Sequence, residues 1–497
     1  MFARGLHELG WSLVASGKTA ATIEELGIPV EHVDALTESP EMLGGRVKTL
    51  HPRVHAGILA RRDSEDDAAT LEEHGIEPFD LVCVNLYPFE QVAARKGVSE
   101  TDAVEMIDIG GPSMLRGAAK NFAHVAPLCR PDQYGFVLDE LRERGGLSLE
   151  TRRQLAAEAF ATSAAYEAAI ANWFAGREDF PESLVLPLEK VLDLSYGENP
   201  HQRAAYYAER GLRRHLLSRV EQLHGKALSF NNLNDLSGAR LLAREFALPA
   251  CVIVKHANPC GVAIGATIEE AYDKALASDP TSAYGGIVVL NRDVDRALGE
   301  KLAEQFVEVL FAPGYADEAL AAIRERRQNV RILVDRERRA AEPGERHYKR
   351  VLGGMLVQDP DWEIEDRERW DTVTGSLYEP QWGDLVFAWR VCKHVSSNAI
   401  VLAKGLATIG IGAGQMSRVD AVRIAVEKAG QFGHDVTGSA LASDAFFPFP
   451  DGPRIALEAG ATAIVQPGGS RRDQDVVDAV EKAGAAMVFT GRRHFRH

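Results

Sequence analysis

Two adjacent ionisable residues, Lys255 and His256, follow an apolar run that extends from Ala250 to Val254. The run predicts a buried strand, and the Pro and Gly residues that come after the pair predict a turn. A strand end of this kind supplies a cation and a proton carrier on a rigid support beside a crevice. The pair therefore predicts acid–base chemistry, and the alternative is a histidine that only completes its hydrogen bonds at a strand end.

A second cluster of polar side chains occupies a glycine-bounded loop, residues 45–57. Its basic or imidazole side chains are Arg46, Lys48, His51, Arg53 and His55. Cations and backbone N–H groups in such loops converge on phosphates and oxyanions. The loop predicts an anion site, and a solvated basic loop is the alternative.

Asp108 stands just before a Gly-Gly-Pro sequence that predicts the start of a helix ending at Lys120. The positive end of the helix dipole suits an anionic ligand there, and a plain helix cap explains the carboxylate equally well. Asn85 and Tyr87 follow the predicted strand Leu81–Val84. They fall at its carboxyl end, where open α/β sheets bind ligands, and a core role is the alternative for the aromatic ring.

Four later segments have less specific patterns. Residues 195–202 and 229–234 are amide-rich turns that suit a polar heterocycle, although most such turns are only turns. The aromatic run at 444–449 predicts either a stacking surface for a planar ring or core. The glycines of residues 410–418 lack the dinucleotide-binding spacing. The segment from His256 to Cys260 lacks the glutamate and the second cysteine of zinc deaminases, so we expect no zinc.

The elements that must position these residues alternate along the chain. Before residue 176 we predict strands at 11–15, 56–59, 81–85 and 125–128 and helices at 2–9, 65–74, 99–107, 113–119 and 149–175. After a linker at 176–190, we predict strands at 250–254, 286–290, 399–403, 408–411 and 463–465 and a charge-rich helical insertion at 292–350. This alternation predicts an α/β fold with a mostly parallel sheet in the first region. The Lys-His pairs at 255–256 and 393–394 are too differently placed to support an internal repeat.

Composition limits the class of protein. The chain has 497 residues, 45% of them hydrophobic, and a formal net charge of −16. Its length predicts two or three domains, and its acidic balance argues against nucleic-acid and membrane-surface partners. Its five cysteines occur singly, and it has neither an apolar leader nor a run of about 18 apolar residues. We therefore expect a soluble, cytoplasmic protein with reduced thiols.

Seven motifs resemble the family of bifunctional purine-biosynthesis enzymes that combine AICAR transformylase with IMP cyclohydrolase. They begin at Arg46, Asn85, Ile107, Tyr196, Lys255, Gly410 and Ser443 and read RVKTLHP, NLYPF, IDIGG, YGENPHQ, KHANPCG, GIGAGQ and SDAFFPF. The resemblance spans essentially the whole chain. It implies an α/β fold with a methylglyoxal-synthase-like parallel-sheet domain at 1–182 and a larger domain of two cytidine-deaminase-like α/β halves at 183–497.

The same resemblance implies a function and partners. The formyl group of 10-formyltetrahydrofolate, a cosubstrate, is transferred to AICAR, and formyl-AICAR is then cyclised to IMP with loss of water. No metal is required. The family resemblance also implies a homodimer whose transformylase sites use both subunits.

For the transformylase, the resemblance implies that Lys255 and His256 are the reacting pair and that Asn398 orients the reactants. The amine of AICAR is a weak nucleophile, so we expect His256 to take its proton. We expect Lys255 to stabilise the oxyanion or protonate the leaving folate nitrogen. The implied nucleotide-binding residues are Tyr196, Gly285, Glu308, Arg418, Phe446 and Arg493, and the implied folate-binding residues are Asp451, Ser470 and Arg471.

For the cyclohydrolase, the implied residues are Lys48, Tyr87, Asp108 and Lys120. Ring closure requires proton transfer, and we expect Lys120 to move the proton while Asp108 lies close enough to hold and tune it. We expect Lys48 and Tyr87 to stabilise the oxyanion. The implied nucleotide-binding residues are Ser16, Gly17, Thr19, Arg46, Thr49 and Asn85.

Three departures from the family pattern affect these expectations. The chain starts inside the helix that follows the family's first strand, which we expect to expose strand edges and weaken the phosphate site. Lys18 replaces a glycine, which costs free energy if its φ is positive. Ser195 replaces an arginine that contacts the AICAR phosphate, a charge-assisted bond worth about 1.5–3 kcal/mol. The alternatives are a transformylase with a defective cyclohydrolase domain and a nucleotide-sensing protein without turnover.

Overall fold

A computed structural model describes residues 1–40, 42–176, 180–210, 216–336, 346–362 and 366–497. The chain forms two compact units. The first comprises Met1–Glu189 and a short stretch that begins at Ala208, and the second comprises Lys190–Tyr207 and the remainder of the chain to His497. Parts of the predicted linker at 176–190 and of the predicted insertion at 292–350 lie outside the described residues.

The first unit consists of helices and short parallel strands. Its described helices are α1 (Phe2–Glu8), α2 (Gly17–Glu25), α3 (Val33–Thr37), α4 (Pro52–Leu59), α5 (Glu65–His74), α6 (Phe89–Ala93), α7 (Glu100–Val104), α8 (Gly110–Lys120), α9 (Tyr134–Arg144) and α10 (Leu149–Ala175). Its described strands are β1 (Val14–Ala15), β2 (Glu31–His32), β3 (Leu81–Cys83) and β4 (Ala126–Leu128). β1 pairs in parallel with β2, and β3 with β4. The pairing is parallel as predicted, but among the described residues it gives two separate two-stranded sheets, because strands of two or three residues make few ladder bonds.

Helix α10 has the bounds that the sequence predicted. It begins after Ser148, whose hydroxyl accepts a hydrogen bond from the N–H of Thr151 at 3.1 Å. This side chain satisfies one of the free donors of the first turn. Leu155 and Ala159 are buried where α10 packs against α8 and β4, so α10 supports the segment that carries Asp108.

Helix α4 replaces the strand that was predicted at 56–59. The ring of His51 accepts a hydrogen bond from the N–H of Arg53 at 3.2 Å, and Pro52 stands in the first turn, where its fixed φ suits a helix. Val54 and Ile58 are buried on one face. The strand prediction was wrong because a short apolar run fits either element, and the capping residues upstream determine which one forms.

The second unit contains most of the strands. Its described helices are α11 (Phe230–Ala243), α12 (Ile268–Ser278), α13 (Pro280–Ala283), α14 (Arg296–Glu304), α15 (Asp317–Arg326), α16 (Glu379–Cys392), α17 (Arg418–Gln431), α18 (Asp451–Glu458) and α19 (Asp473–Lys482). The strands that follow α10 are β5 (Leu188–Leu194), β6 (Ala204–Glu209), β7 (Glu221–His224), β8 (Ala250–Lys255), β9 (Asn258–Ile264), β10 (Gly286–Leu290), β11 (Val307–Ala312), β12 (Arg331–Val334), β13 (His347–Val351), β14 (Gly354–Gln358), β15 (Asp371–Thr374), β16 (Ile400–Lys404), β17 (Ala407–Gly412), β18 (Ala440–Ser443), β19 (Ala463–Gln466) and β20 (Ala486–Phe489).

Twelve of these strands form one mixed sheet, in the order β15-β20-β19-β18-β16-β17-β9-β8-β10-β11-β12-β7. The order is the same when it is read from either end: an antiparallel edge strand, three parallel strands and an antiparallel hairpin. The two halves meet where β9 pairs with β17. From α11 to β9 the second half repeats the first at an offset of 149 positions, which relates Lys255 to Lys404 and Asp235 to Asp384. The Lys-His pair at 393–394 is not part of this equivalence, because Lys404 is the lysine related to Lys255.

Both faces of this sheet are covered. Val252 and Val254 of β8 pack in the core that contains α11 and α16, and the alternate residues Cys251 and Ile253 pack in the core of the opposite face. Because both faces of these strands are buried, their sequences are continuous apolar runs. The strands could therefore be predicted from the sequence.

The prediction of a helical insertion at 292–350 was wrong for three segments, one of which is the start of β13. Within it, α14 and α15 are helices, but Val307–Ala312 and Arg331–Val334 are strands of the large sheet. Their apolar residues are buried, whereas α14 and α15 contribute many of the charges that suggested a solvated layer. None of the helices in the described ranges is long and apolar enough to cross a membrane.

Candidate active sites

Lys255 and His256 stand at the carboxyl end of β8, where the sequence placed them. Lys255 pairs with Asn258 of β9, so His256 and Ala257 form the two-residue turn of a β-hairpin. Their φ angles are 51° and 61°. Two positive φ angles are typical of type I′ turns, which favour Asn-Gly. The turn therefore presents the exposed His256 at the end of the sheet in a strained backbone.

A left-handed backbone costs a residue other than glycine roughly 1–2 kcal/mol. Histidine occurs in this conformation more often than most residues, so the strain falls mainly on Ala257. Asp235 of α11 binds the turn: its Oδ1 accepts a hydrogen bond from the N–H of Ala257 at 2.8 Å. Burial raises the pKa of Asp235, and the N–H groups of Ala257 and His256 and the charges of His256 and Lys255 oppose that rise.

Asp235 was not among the site residues predicted from the sequence. A signal was present, because Asp235 precedes Lys255 by the same 20 positions that separate Asp384 from Lys404. That spacing has no meaning until the sheet shows which lysines are equivalent.

The ammonium of Lys255 is fixed by backbone carbonyls. Its Nζ donates to the carbonyl oxygens of Tyr284 at 3.1 Å and Gly285 at 2.8 Å. Gly285 has φ 68°, and a Cβ there would lie 3.1 Å from the Nζ of Lys255 and 3.1 Å from the ring of Phe306. Position 285 therefore requires glycine for both its backbone and its neighbours.

Asn398 lies just before β16 in a network of buried polar groups. Its Oδ1 accepts a hydrogen bond from Arg418 at 2.7 Å, and its Nδ2 donates to the carbonyl oxygen of Gln415 at 2.8 Å. Arg418 forms an ion pair with Asp444, whose side chain is fully buried. These contacts fix the orientation of the Asn398 amide.

Backbone hydrogen bonds connect this network to the hairpin turn and to the C-terminal tail. The N–H of Ser396 donates to the Oδ1 of Asn258 at 2.8 Å. The N–H of Ser397 donates to the carbonyl oxygen of Arg496 at 2.9 Å. The structure thus brings the turn of the first half next to the Asn398 loop of the second half and the tail that contains Arg493.

Two more of the predicted nucleotide-binding residues lie near the start of α11. The carbonyl oxygen of Tyr196 accepts from the N–H of Phe230 at 3.1 Å, and Glu308 accepts from the Nδ2 of Asn232 at 3.0 Å. Ser195, which replaces the family arginine, uses its hydroxyl to donate to the carbonyl oxygen of Leu228 at 3.1 Å.

Four predicted residues lie elsewhere in the second half. Phe446, which is 39% exposed, follows Asp444. Asp451 begins α18 and accepts from the N–H of Gly452, while Ser470 and Arg471 lie in the loop after β19. Within the described ranges, no hydrogen bond joins Asp451, Ser470 or Arg471 to Lys255 or Asn398.

A cavity of about 1400 Å³ opens beside α11, α16 and the C-terminal tail. Of the predicted residues, Arg493 lines it, whereas Lys255 and His256 do not. The cavity is therefore adjacent to the hairpin site rather than identical with it.

In the first unit, Asp108 is half-buried before the first turn of α8. Its Oδ1 accepts a hydrogen bond from the N–H of Gly111 at 2.9 Å, and its own N–H donates to the hydroxyl of Tyr166 at 2.8 Å. Burial raises the pKa of Asp108, while hydrogen bonds from the N–H groups of Gly111 and Tyr87 and the charge of Lys48 oppose that rise. Lys48 and the backbone of Tyr87 thus both act on the carboxylate of Asp108.

The basic loop approaches two helix starts. A Cβ on Gly17 would lie 2.7 Å from the Nζ of Lys48, and one on Gly110 would lie 2.1 Å from the Oγ1 of Thr49. Gly17 begins α2 and Gly110 begins α8. The close approach of Lys48 and Thr49 is possible because both helices begin with glycine.

The start of α2 also resolves the expectation for Lys18. Ser16 is the N-cap residue, and Thr19 is exposed in the first turn. The positive φ, 51°, belongs to Gly17, whereas Lys18 has no positive φ. Lys18 therefore carries none of the strain that was considered for it.

The predicted contact between Asp108 and Lys120 is wrong. Helix α8 has 11 residues, so its ends are about 15 Å apart at about 1.5 Å per residue. Asp108 precedes the first residue and the exposed Lys120 is the last, and their side chains are too short to span that distance. The cation that acts on Asp108 is Lys48.

The two remaining residues of the first unit are engaged with protein groups. Asn85 donates from Nδ2 to the hydroxyl of Tyr134 at 2.7 Å. Arg46 forms an exposed ion pair with Glu105. A ligand that bound them would have to replace these partners.

Comparison with known proteins identifies the family. The AICARFT/IMPCHase bienzyme model matches residues 118–428, and the MGS-like domain model matches residues 1–113. Three relatives, each described as a bifunctional purine biosynthesis protein PurH, align with 100% of this chain. That of Rhodopirellula baltica is 49% identical over 96% of its length, that of Anoxybacillus flavithermus 48% over 97%, and that of Halalkalibacterium halodurans 47% over 97%. The chain therefore belongs to the AICARFT/IMPCHase bienzyme family of purine biosynthesis, which combines AICAR formyltransferase and IMP cyclohydrolase activities.

Proposed function

We propose that the second unit transfers the formyl group of 10-formyltetrahydrofolate to AICAR at the hairpin turn. The observation that carries this proposal is the pairing of a fixed ammonium, Lys255, with the exposed imidazole of His256 at the end of a buried strand. A neutral imidazole accepts protons near neutral pH, and an ammonium held by two carbonyls stabilises negative charge without reorganising.

The transfer then proceeds by addition and elimination. The amine nitrogen of AICAR attacks the formyl carbon, and His256 takes the proton that this nitrogen releases. The negative charge on the formyl oxygen is stabilised by Lys255. When the carbonyl re-forms and the bond between that carbon and the folate nitrogen breaks, the folate nitrogen takes up the proton that His256 accepted, and tetrahydrofolate leaves.

Asn398 is proposed to orient the reactants, because Arg418 and the backbone of Gln415 fix its amide. The nucleotide is held by Tyr196, Gly285, Glu308, Arg418, Phe446 and Arg493, and the folate by Asp451, Ser470 and Arg471. A homodimer in the cytoplasm, with both subunits contributing to each transformylase site, completes this proposal.

The first unit is proposed to close the ring. The carboxamide nitrogen of formyl-AICAR attacks the formyl carbon, and water leaves once the new carbon–nitrogen bond has formed. Asp108, whose burial raises its pKa, accepts the proton of the attacking nitrogen. It returns this proton to the formyl oxygen, and the nitrogen that carried the formyl group gives up its own proton as the carbon–nitrogen double bond forms and water leaves. Lys48 and Tyr87 stabilise the oxyanion, and Ser16, Gly17, Thr19, Arg46, Thr49 and Asn85 hold the nucleotide. We assign no step of ring closure to Lys120, which lies at the far end of α8.

The test is to mix the purified protein with AICAR and 10-formyltetrahydrofolate and to follow tetrahydrofolate and IMP separately. We expect both products. Accumulation of formyl-AICAR without IMP would refute the assignment of the first unit, and nucleotide binding without folate turnover would refute the assignment of the second. The variant His256→Ala is expected to abolish tetrahydrofolate release while it leaves the cyclisation of added formyl-AICAR intact.

A further inference from the structure

The two halves of the large sheet contain the same device at equivalent places. In the second half, Gly405 and Leu406 form the two-residue turn between β16 and β17, with φ angles of 62° and 58°. Asp384 of α16 accepts hydrogen bonds from both of their N–H groups, at 3.0 and 2.7 Å. In the first half, Asp235 of α11 accepts a hydrogen bond from the N–H of Ala257 at 2.8 Å, and the backbone N–H of His256 also lowers the pKa of this carboxylate.

The two turns differ in what they carry. The second has glycine at its first position, and no imidazole follows Lys404. The first has no glycine and carries His256. A turn made of two residues that disfavour positive φ needs an external restraint more than one that contains glycine.

We propose that Asp235 is a positioning residue for formyl transfer, holding His256 and Ala257 in the left-handed turn that sets the place of the imidazole. The proposal rests on the function proposed above for Lys255 and His256. Asp235 does not touch the reactants in this account. It acts by binding backbone N–H groups, so its loss lets the turn relax to negative φ and moves His256 relative to the fixed Lys255.

A carboxylate suits this task for a geometric reason. Its two oxygens accept hydrogen bonds from two successive N–H groups, as Asp384 does in the equivalent turn. An amide has only one acceptor oxygen, so the two N–H groups would have to share it, and its NH₂ group would face one of these donors. The acidic side chain is also near the guanidinium of Arg496, whose pKa is lowered by burial and raised by Asp235.

The experiment uses the full-length protein and the matched variants Asp235→Ala and Asp384→Ala. We expect D235A to lower the kcat of formyl transfer about 10- to 100-fold, with a smaller change in the KM for AICAR. D384A removes the same kind of contact at the same place in the fold and is expected to keep the wild-type kcat. Both variants should keep the cyclisation rate on formyl-AICAR, which reports on the first unit of the same chain.

A rescue separates positioning from a loss of charge or of folding. Ala257→Gly relieves the strain at the second turn position without restoring the carboxylate. We expect the double variant D235A/A257G to regain much of the lost kcat. If D235A is poorly folded, Asp235→Asn is measured with and without A257G in its place, and the same rescue is expected.

Three results would overturn the proposal: a wild-type kcat in D235A, equal losses of kcat in D235A and D384A, or no rescue by A257G. The result for H256A keeps this conclusion distinct from the proposed function. If H256A still transfers the formyl group, the assignment of the hairpin site fails. If H256A is inactive and D235A is not impaired, only the positioning role fails.

Discussion

Replacing Gly285 with alanine tests whether the position of the Lys255 ammonium controls formyl transfer. The carbonyl oxygen of Gly285 accepts a hydrogen bond from the Nζ of Lys255 at 2.8 Å. A new Cβ would lie 3.1 Å from that Nζ and 3.1 Å from the ring of Phe306. Both contacts are tighter than ordinary van der Waals packing, so the ammonium must shift by a few tenths of an ångström.

The variant Gly285→Ala has two separable costs. Its φ of 68° costs roughly 1–2 kcal/mol of stability in any residue with a side chain. Gly433 of the same unit has φ 75°, and no described atom lies within 4 Å of a Cβ placed there. Gly433→Ala therefore carries the backbone cost alone, and the difference between the two variants isolates the displacement of Lys255.

The assay is steady-state formyl transfer together with urea unfolding of both variants. Both should lose roughly 1–2 kcal/mol of unfolding free energy. We expect kcat/KM to fall about tenfold in G285A, equivalent to about 1.4 kcal/mol of transition-state stabilisation, and to remain unchanged in G433A. An unchanged kcat/KM in G285A, or an equal fall in both variants, would refute the reasoning that the fixed ammonium matters.

Further predictions concern the first unit and the buried ion pair. The cyclisation rate should fall with decreasing pH through the pKa of Asp108, which burial places above the ordinary value of about 3.9. Because the charge of Lys48 lowers the pKa of Asp108, Lys48→Met should move this acid limb of the pH–rate profile to higher pH. Lys120→Met should leave the limb where it is. The pH–rate profiles of both variants test this, and a shift in K120M alone would contradict the geometry. Asp444→Ala leaves Arg418 buried without its partner, so it should cost about 3–5 kcal/mol in urea unfolding, and a loss below about 1 kcal/mol would contradict the buried pairing.

The sequence was sufficient for elements whose signals are local. Helix α10 was predicted with its bounds because its apolar residues recur near one face along 27 residues. The strands at 250–254 and 286–290 were readable because both of their faces are buried. The seven motifs together indicated the family, because their combination and order are specific although most of them are weak singly.

The secondary structure of short segments, and of segments that mix apolar and charged residues, could not be predicted from the sequence. The four residues 56–59 fit a strand or a helix equally well, and the cap at His51 decided. In residues 292–350 the charges on α14 and α15 hid the two strands of the large sheet. Local composition averages over an element and its neighbours, so it misses a buried strand of four to six residues between charged helices.

The sequence by itself determined the family, most element types and the residues that can do chemistry. The tertiary structure alone decided which of them act on one another. It placed Lys48 rather than Lys120 beside Asp108, and it placed Asp235 under the turn of His256 and Ala257. The physical reason is that these contacts join segments that are 20 to 60 positions apart in the chain. Such distances are set by how helices and strands pack, and no local pattern of residues encodes them.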